Sequence, residues 1–164
     1  MPNHCYNRVD IGINSDSESA KIQFKTLLSI FESSDPFNRI IPEPNWGLLQ
    51  DPKRGEFSKV KEMTAPNGEV ICSARQWEDG TQDDRWYSWR LENWDTKWEA
   101  YDKEIAHADE DTFQVTFNTA WSPPEGIYAR IKENYPDLYV TWFFDEPGME
   151  IAGYFLWTII PLMN

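Results

Sequence analysis

Over residues 8–14 the apolar side chains Val9, Ile11 and Ile13 alternate with other residues, the period of a strand with one buried face. The period then changes. Ser15, Asp16 and Ser17 offer oxygens to cap a helix, and Glu18 favours its first turn. Ile22, Phe24, Leu27, Leu28, Ile30 and Phe31 then recur along one helical face. Pro36 ends that run, because proline disfavours helical backbone in the residue before it. From 35 to 82 the pattern loosens. Pro36, Pro42, Pro44 and Pro52 with Gly47 and Gly55 mark a surface excursion. Within it, Asn67-Gly68 separates 56–64 from 69–74 and predicts a hairpin.

A third periodic stretch, 83–98, opens on Asp83 and Asp84, anions suited to a helix N-terminus. Tyr87, Leu91, Trp94 and Trp98 are spaced four, three and four, and predict its buried face. Trp86, Trp89 and Asn93 mark a neighbouring face, and Trp86, Trp89 and Arg90 are expected to be exposed. Residues 104–107 and 112–118 read as strands around the acidic turn Asp109-Glu110-Asp111. Ser122 as N-cap, Pro123 in the first helical position and Glu125 in the third predict a helix carrying Ile127, Tyr128 and Ile131. Strands over 138–144 and 150–160 around Glu146-Pro147-Gly148 complete the series. Without the excursion and the last strand, the order is βαββαβ. The expected fold is therefore α+β and ferredoxin-like (split βαβ): an antiparallel sheet with two helices on one face. An insertion follows the first helix and an extra strand lies at the C-terminus. We read 1–164 as one domain, with 35–82 as an excursion from it.

Composition narrows the function classes. A chain of 164 residues with nine Trp, seven Tyr and nine Phe can bury a core without metals or disulfides. No run approaches the ~18 apolar residues of a spanning helix. The N-terminus lacks the pattern of a secretory signal, so a cytoplasmic protein without membrane association is expected. Cys5 and Cys72 are then free thiols. The formal charge of −13 is uneven: residues 1–82 hold 9 Lys/Arg against 12 Asp/Glu, and residues 83–164 hold 6 against 16. Acidity serves solubility first, and beyond that it suits a basic partner surface. No basic stripe suggests direct nucleic-acid binding.

Candidate chemistry adds little. Two Cys and two His, scattered at His4, Cys5, Cys72 and His107, form no metal-ligand spacing and cannot hold a four-thiolate cluster. Phosphate-binding glycine loops and the Gly-x-Ser-x-Gly elbow are missing from the sequence. No cofactor is expected. Glu92, Asp95, Asp102, Asp145 and Glu146 could include a proton-sharing pair, but in a chain with 28 acidic residues solvated surface charge is the plainer reading.

Several blocks resemble the YubB-like proteins. They are the opening Met1-Pro-Asn-His-Cys-Tyr-Asn-Arg-Val and the central Trp86-Tyr-Ser-Trp-Arg-Leu-Glu-Asn-Trp-Asp-Thr-Lys-Trp-Glu-Ala-Tyr-Asp102, with Thr119-Ala-Trp-Ser-Pro-Pro124 and Asp145-Glu-Pro-Gly-Met-Glu-Ile-Ala-Gly153. The resemblance implies a ferredoxin-like domain carried by phages, prophages and plasmids, without an established activity. His4 stands where that family usually has Trp, and Asp95 where it usually has Gly. A left-handed turn after Trp94 would thus fall on Asp, which tolerates that backbone better than most residues.

The function expected from these features is non-enzymatic binding of a protein, one with a basic surface on a host, by a mobile-element module. A sharper form is an acidic, DNA-mimicking inhibitor of a host nucleic-acid-handling or defence protein. The candidate partner surface comprises Trp86, Trp89, Arg90, Asp95, Lys97, Asp102, Asp145 and Glu146. Two other classes remain open: a small-ligand protein or enzyme with a cleft by Trp94, Asp95, Lys97 and Asp102, and a structural component of a phage particle.

Overall fold

In the computed structural model, which describes residues 3–156, the first strand β1 (His4–Ile13) occupies the middle of a five-stranded sheet. It starts earlier than the apolar alternation predicts, because its neighbours supply hydrogen bonds from His4 onward. α1 (Glu18–Glu32) follows, with Ser17 as N-cap accepting from the Ala20 amide at 3.1 Å. α2 (Pro36–Ile40) places proline in its first turn, where the missing N–H costs nothing. A short 3₁₀ turn (Trp46–Leu48) precedes the hairpin β2 (Lys59–Thr64) and β3 (Val70–Gln76). Gly68 there has φ +85°, the left-handed backbone that the Asn-Gly turn requires. α3 (Arg85–Trp94), β4 (Tyr101–Ala108), β5 (Thr112–Ala120), α4 (Glu125–Asn134), β6 (Leu138–Glu146) and β7 (Ile151–Tyr154) complete the described chain. The strand expected over 150–160 is β7 as far as Tyr154; its end from 157 lies outside the described residues.

The large sheet runs β4-β5-β1-β6-β7 with every pairing antiparallel. With β7 set aside, β1, β4, β5 and β6 take the interleaved order that two split βαβ units produce, so the fold is ferredoxin-like. Alternation along β1 and β5 sends Cys5, Val9, Ile11, Phe113, Val115 and Phe117 to the covered face. Phe24, Leu27 and Phe31 of α1 and Ile127, Tyr128 and Ile131 of α4 are buried with them. Phe31 stacks on Phe117, and Phe117 meets Trp142 edge-on at 5.6 Å. Each such ring buried adds roughly 1.5–3 kcal/mol. β4 departs twice from regular register against β5, and β7 is only four residues long.

The chain divides into two compact units, one of residues up to Pro42 and from Arg90 onward, the other Glu43–Trp89. The excursion expected over 35–82 thus contains α2, which belongs with the sheet, while the second unit extends into the first half of α3. That unit is organised by Arg85. Its guanidinium lies 5.2 Å from the Trp46 ring centroid and 4.7 Å from that of Trp77, and donates to both Asp83 carboxylate oxygens. Burial raises the Asp83 pKa, but the hydrogen bonds and charge of Arg85 outweigh it and leave the carboxyl below its ordinary range.

Two expectations along α3 and α4 are overturned. α3 ends at Trp94, since Asp95 takes φ +62°, so Trp98 lies beyond the helix. Of the predicted buried face only Trp94 is buried (0% exposed), whereas Tyr87 (43%), Leu91 (38%) and Trp98 (38%) are exposed. The half-buried side is the one bearing Trp86, Trp89, Arg90 and Asn93. A three-four spacing defines a stripe but does not say which of two adjacent stripes turns inward. In α4, Ser122 is not the cap: the N-cap residue is Pro124, which offers no side-chain bond. The Ser122 hydroxyl donates to the Asp95 carbonyl instead, and the Asp95 carboxylate accepts from the Gly126 amide at 2.8 Å.

That substitution is one of several made by a single segment. Trp94 donates its indole N–H to the Ile41 carbonyl at 3.1 Å, behind the end of α2. The Thr96 hydroxyl, fully buried, donates to the Ala120 carbonyl at the end of β5. Glu99 accepts from the Phe37 and Asn38 amides at the start of α2, and burial raises its pKa. Lys103 donates to the Phe31 and Ser33 carbonyls at the end of α1, and burial lowers its pKa. Residues 94–103 therefore satisfy backbone groups that three helices and a strand leave open at their ends. Gly126 fits this arrangement because a Cβ there would stand 2.1 Å from the Asn93 carbonyl oxygen.

Asp95→Ala is expected to cost about 2 kcal/mol in urea unfolding, through loss of a cap and left-handed strain, while Asp95→Asn should cost less than about 1 kcal/mol. Equal losses for the two would contradict this account. Both cysteines are free, Cys5 fully buried with its thiol pKa pushed up to about 11 by burial and Cys72 exposed. Titration with a thiol reagent should count one thiol in the native protein and two in denaturant.

Candidate interaction surface

The sheet face opposite α1 and α4, which carries no helix among the described residues, presents three rows of side chains across neighbouring strands. The first is Tyr101, Asn118, Tyr6 and Asp145; the second is Glu104, Thr116, Arg8, Phe143 and Tyr154; the third is His107, Gln114, Asp10 and Thr141. Asp102 joins the first row by accepting from Asn118 Nδ2 at 3.3 Å. The face thus carries Asp10, Asp102, Glu104 and Asp145. Against them stands Arg8, whose guanidinium lies over the Phe143 ring at 5.4 Å and pairs with Asp10 at 3.4 Å. A cavity of about 290 Å³ opens beside the third row, lined by Asp10, His107, Gln114 and Tyr139 among others. Residues 43–89 hold 6 Lys/Arg and 9 Asp/Glu, so the remainder, with 9 against 19, carries −10 of the −13.

At the first row the face meets an exposed aromatic corner. His4 Nδ1 lies 2.6 Å from the Tyr101 hydroxyl, and Trp98 packs edge-on to the Tyr101 ring at 6.2 Å. Beyond Trp98, the Lys97 ammonium stands 4.4 Å from the Trp98 centroid and 5.5 Å from that of Trp121. Trp121 is 49% exposed and holds φ +76°, with its amide donating to the Asn3 carbonyl. Left-handed backbone is an outlier for so bulky a residue and costs on the order of 1–3 kcal/mol.

The structure scatters the eight residues singled out from the sequence. Asp102 and Asp145 share the open sheet face, and Lys97 lies at its aromatic corner. Asp95 is engaged at the end of α4. Arg90 packs over the Trp94 ring at 4.7 Å and donates to the Lys97 carbonyl. Glu146 points to the covered side, fully buried, and accepts from the Gly148 and Met149 amides of its own turn. Trp86 and Trp89 lie on the half of α3 that belongs to the second unit, half-buried. Sequence reasoning missed Trp121, Tyr6, Tyr101 and Glu104; the alternation of β1 and β5 could have placed Tyr6 on the open face, but no signal marked the backbone of Trp121. Among the described residues, no three His, Cys, Asp or Glu side chains form a metal-holding group, and no helix is long and apolar enough to cross a membrane.

Residues 93–158 match the family model described as the ferredoxin-like domain in Api92-like protein. The crystal structure of a protein api92 from Yersinia pseudotuberculosis aligns at 9% identity with a TM-score of 0.48, covering 94% of this chain and 93% of that one. No curated protein matches the sequence. The ferredoxin-like class inferred from the motif blocks is what the family model describes, under the name Api92-like rather than YubB-like, and the chain is similar to it from the last turn of α3 through β7.

Proposed function

We propose that the protein is a non-enzymatic binding module of a phage, prophage or plasmid, acting in the bacterial cytoplasm on a host protein with a basic surface. The observation that carries this reading is the open sheet face, where Asp10, Asp102, Glu104 and Asp145 stand among Tyr6, Phe143 and Tyr154 with Arg8 held in their midst. Aromatic residues interspersed with charge of one sign suit a partner of the opposite sign: the rings supply contact area and the charges steer encounter. The mobile-element setting rests on the resemblance of the motif blocks. In its sharper form, the carboxylates stand in for nucleic-acid phosphates and block a host nucleic-acid-handling or defence protein.

A small-ligand cleft around Trp94, Asp95, Lys97 and Asp102 has less support, because Trp94, Asp95 and Thr96 spend their polar groups on helix and strand ends. A structural role in a phage particle would show as self-assembly in light scattering and as recovery with purified virions.

The test is capture of host proteins from lysate by wild type and by two charge-neutralised variants. Asp102→Asn/Glu104→Gln/Asp145→Asn should lose the captured protein at ~0.1 M salt, while Glu62→Gln/Glu69→Gln/Glu78→Gln, in the second unit, should retain it. Wild-type capture should weaken towards ~1 M salt as the screening length falls from ~10 Å to ~3 Å. Failure of wild type to retain any protein at low salt, or equal losses in the two variants, would sink the reading.

A further inference from the structure

The corner formed by Trp98 and Trp121 contains its own ammonium ion. Lys97 Nζ lies against both indoles, and among the described residues no carboxylate comes within ion-pair distance of it, although the chain has 28 acidic residues. Both rings are substantially exposed (38% and 49%), so burial of apolar surface does not explain their position. Trp121 is held there by a strained backbone, and strain of this kind collects at functional sites. Indole faces attract cations through the ring quadrupole, and two faces about one cation form the beginning of an aromatic cage.

We propose that Trp98 and Trp121 are a receptor for an arginine or lysine side chain of the partner, and that Lys97 occupies it until the partner displaces it. The proposal rests on the binding reading above and identifies the anchor within it. Charge complementarity selects the occupant. Tyr101 links the corner to the first row of the open face, where Asp102 and Asp145 attract a basic surface whose cationic side chain enters between the indoles. An incoming guanidinium has an advantage over Lys97, because its planar, weakly hydrated head stacks on aromatic faces better than an ammonium does. The displaced Lys97 ammonium passes to solvent, so the exchange conserves charge inside the corner.

A short oligoarginine peptide is the probe, with calorimetric titration at ~0.1 M and ~1 M salt. Wild type should bind with strong salt dependence. Trp98→Leu and Trp121→Leu should each weaken binding about tenfold, with Trp121→Phe intermediate. Lys97→Met should tighten binding several-fold by vacating the corner. Lys25→Met, on the exposed side of α1, removes the same charge and should leave affinity nearly unchanged. Circular dichroism checks that the tryptophan variants fold; should either fail, the Lys97→Met and Lys25→Met pair still decides. If salt-dependent binding persists but ignores Trp98, Trp121 and Lys97, the anchor is wrong and the acidic-face reading survives. If wild type binds no peptide at either salt, that reading falls with it. Preferential binding of a single-stranded oligonucleotide through the same two tryptophans would also overturn the proposal, replacing a basic partner with a base-stacking one.

Discussion

Helix ends leave backbone N–H and C=O groups without partners, and this domain meets that constraint mainly from one place. Ser17 caps α1 and Asp83 accepts from the Arg85 amide at the start of α3, whereas the N-cap residues of α2 and α4 offer no side-chain bond. The start of α2 is served by Glu99, the start of α4 by Asp95, and the end of α1 by Lys103. These residues lie within ten positions of one another, from the end of α3 into β4. The segment thereby sets where each helix begins or stops relative to the sheet. Its carboxylates and ammonium are far from idle surface charge: burial has shifted Glu99 and Lys103 towards their neutral forms, opposed at Glu99 by hydrogen bonds from backbone amides and at Lys103 by the charges of Glu99, Asp35 and Glu32.

This changes the meaning of the Trp-rich block. As a string, Trp94-Asp-Thr-Lys-Trp-Glu-Ala-Tyr101 looks like a recognition motif, because Trp and Tyr dominate binding hot spots. In the fold it alternates between two duties. Trp94, Asp95, Thr96 and Glu99 turn towards helix and strand ends, while Lys97, Trp98 and Tyr101 turn out to the aromatic corner. The bracing half holds the displayed half in position, and a rigidly presented side chain loses less entropy when a partner orders it.

The architecture was legible where period and chemistry agree. Strict alternation in β1 and β5, the apolar face of α1, and Asn-Gly between β2 and β3 each specify one local answer, and the left-handed turn after Trp94 falls on Asp95 as its tolerance of that backbone allows. α4 was legible as a helix but not in its cap, because Ser-Pro-Pro-Glu satisfies a local rule while the real acceptor, Asp95, lies 31 positions from the Gly126 amide it caps. The inward stripe of α3 was illegible for a related reason: Trp86 and Tyr87 are both large and amphipathic, and only tertiary packing chooses between them. The candidate surface was half legible. Asp102 and Asp145 stand on it as charges near motif blocks, yet Trp121 owes its place to a φ of +76° that no pattern announces.

The borders of the large sheet have a consequence for how this molecule can associate. β4 breaks register twice against β5 and alternates Asp102, Lys103 and Glu104 along its length, while β7 offers four residues. Strands this irregular, charged or short are poor templates for a strand from another chain. Growth by adding strands side by side, the route to swapped dimers and fibrils, is therefore disfavoured at both rims. Contacts made through this sheet are left to use its flat face.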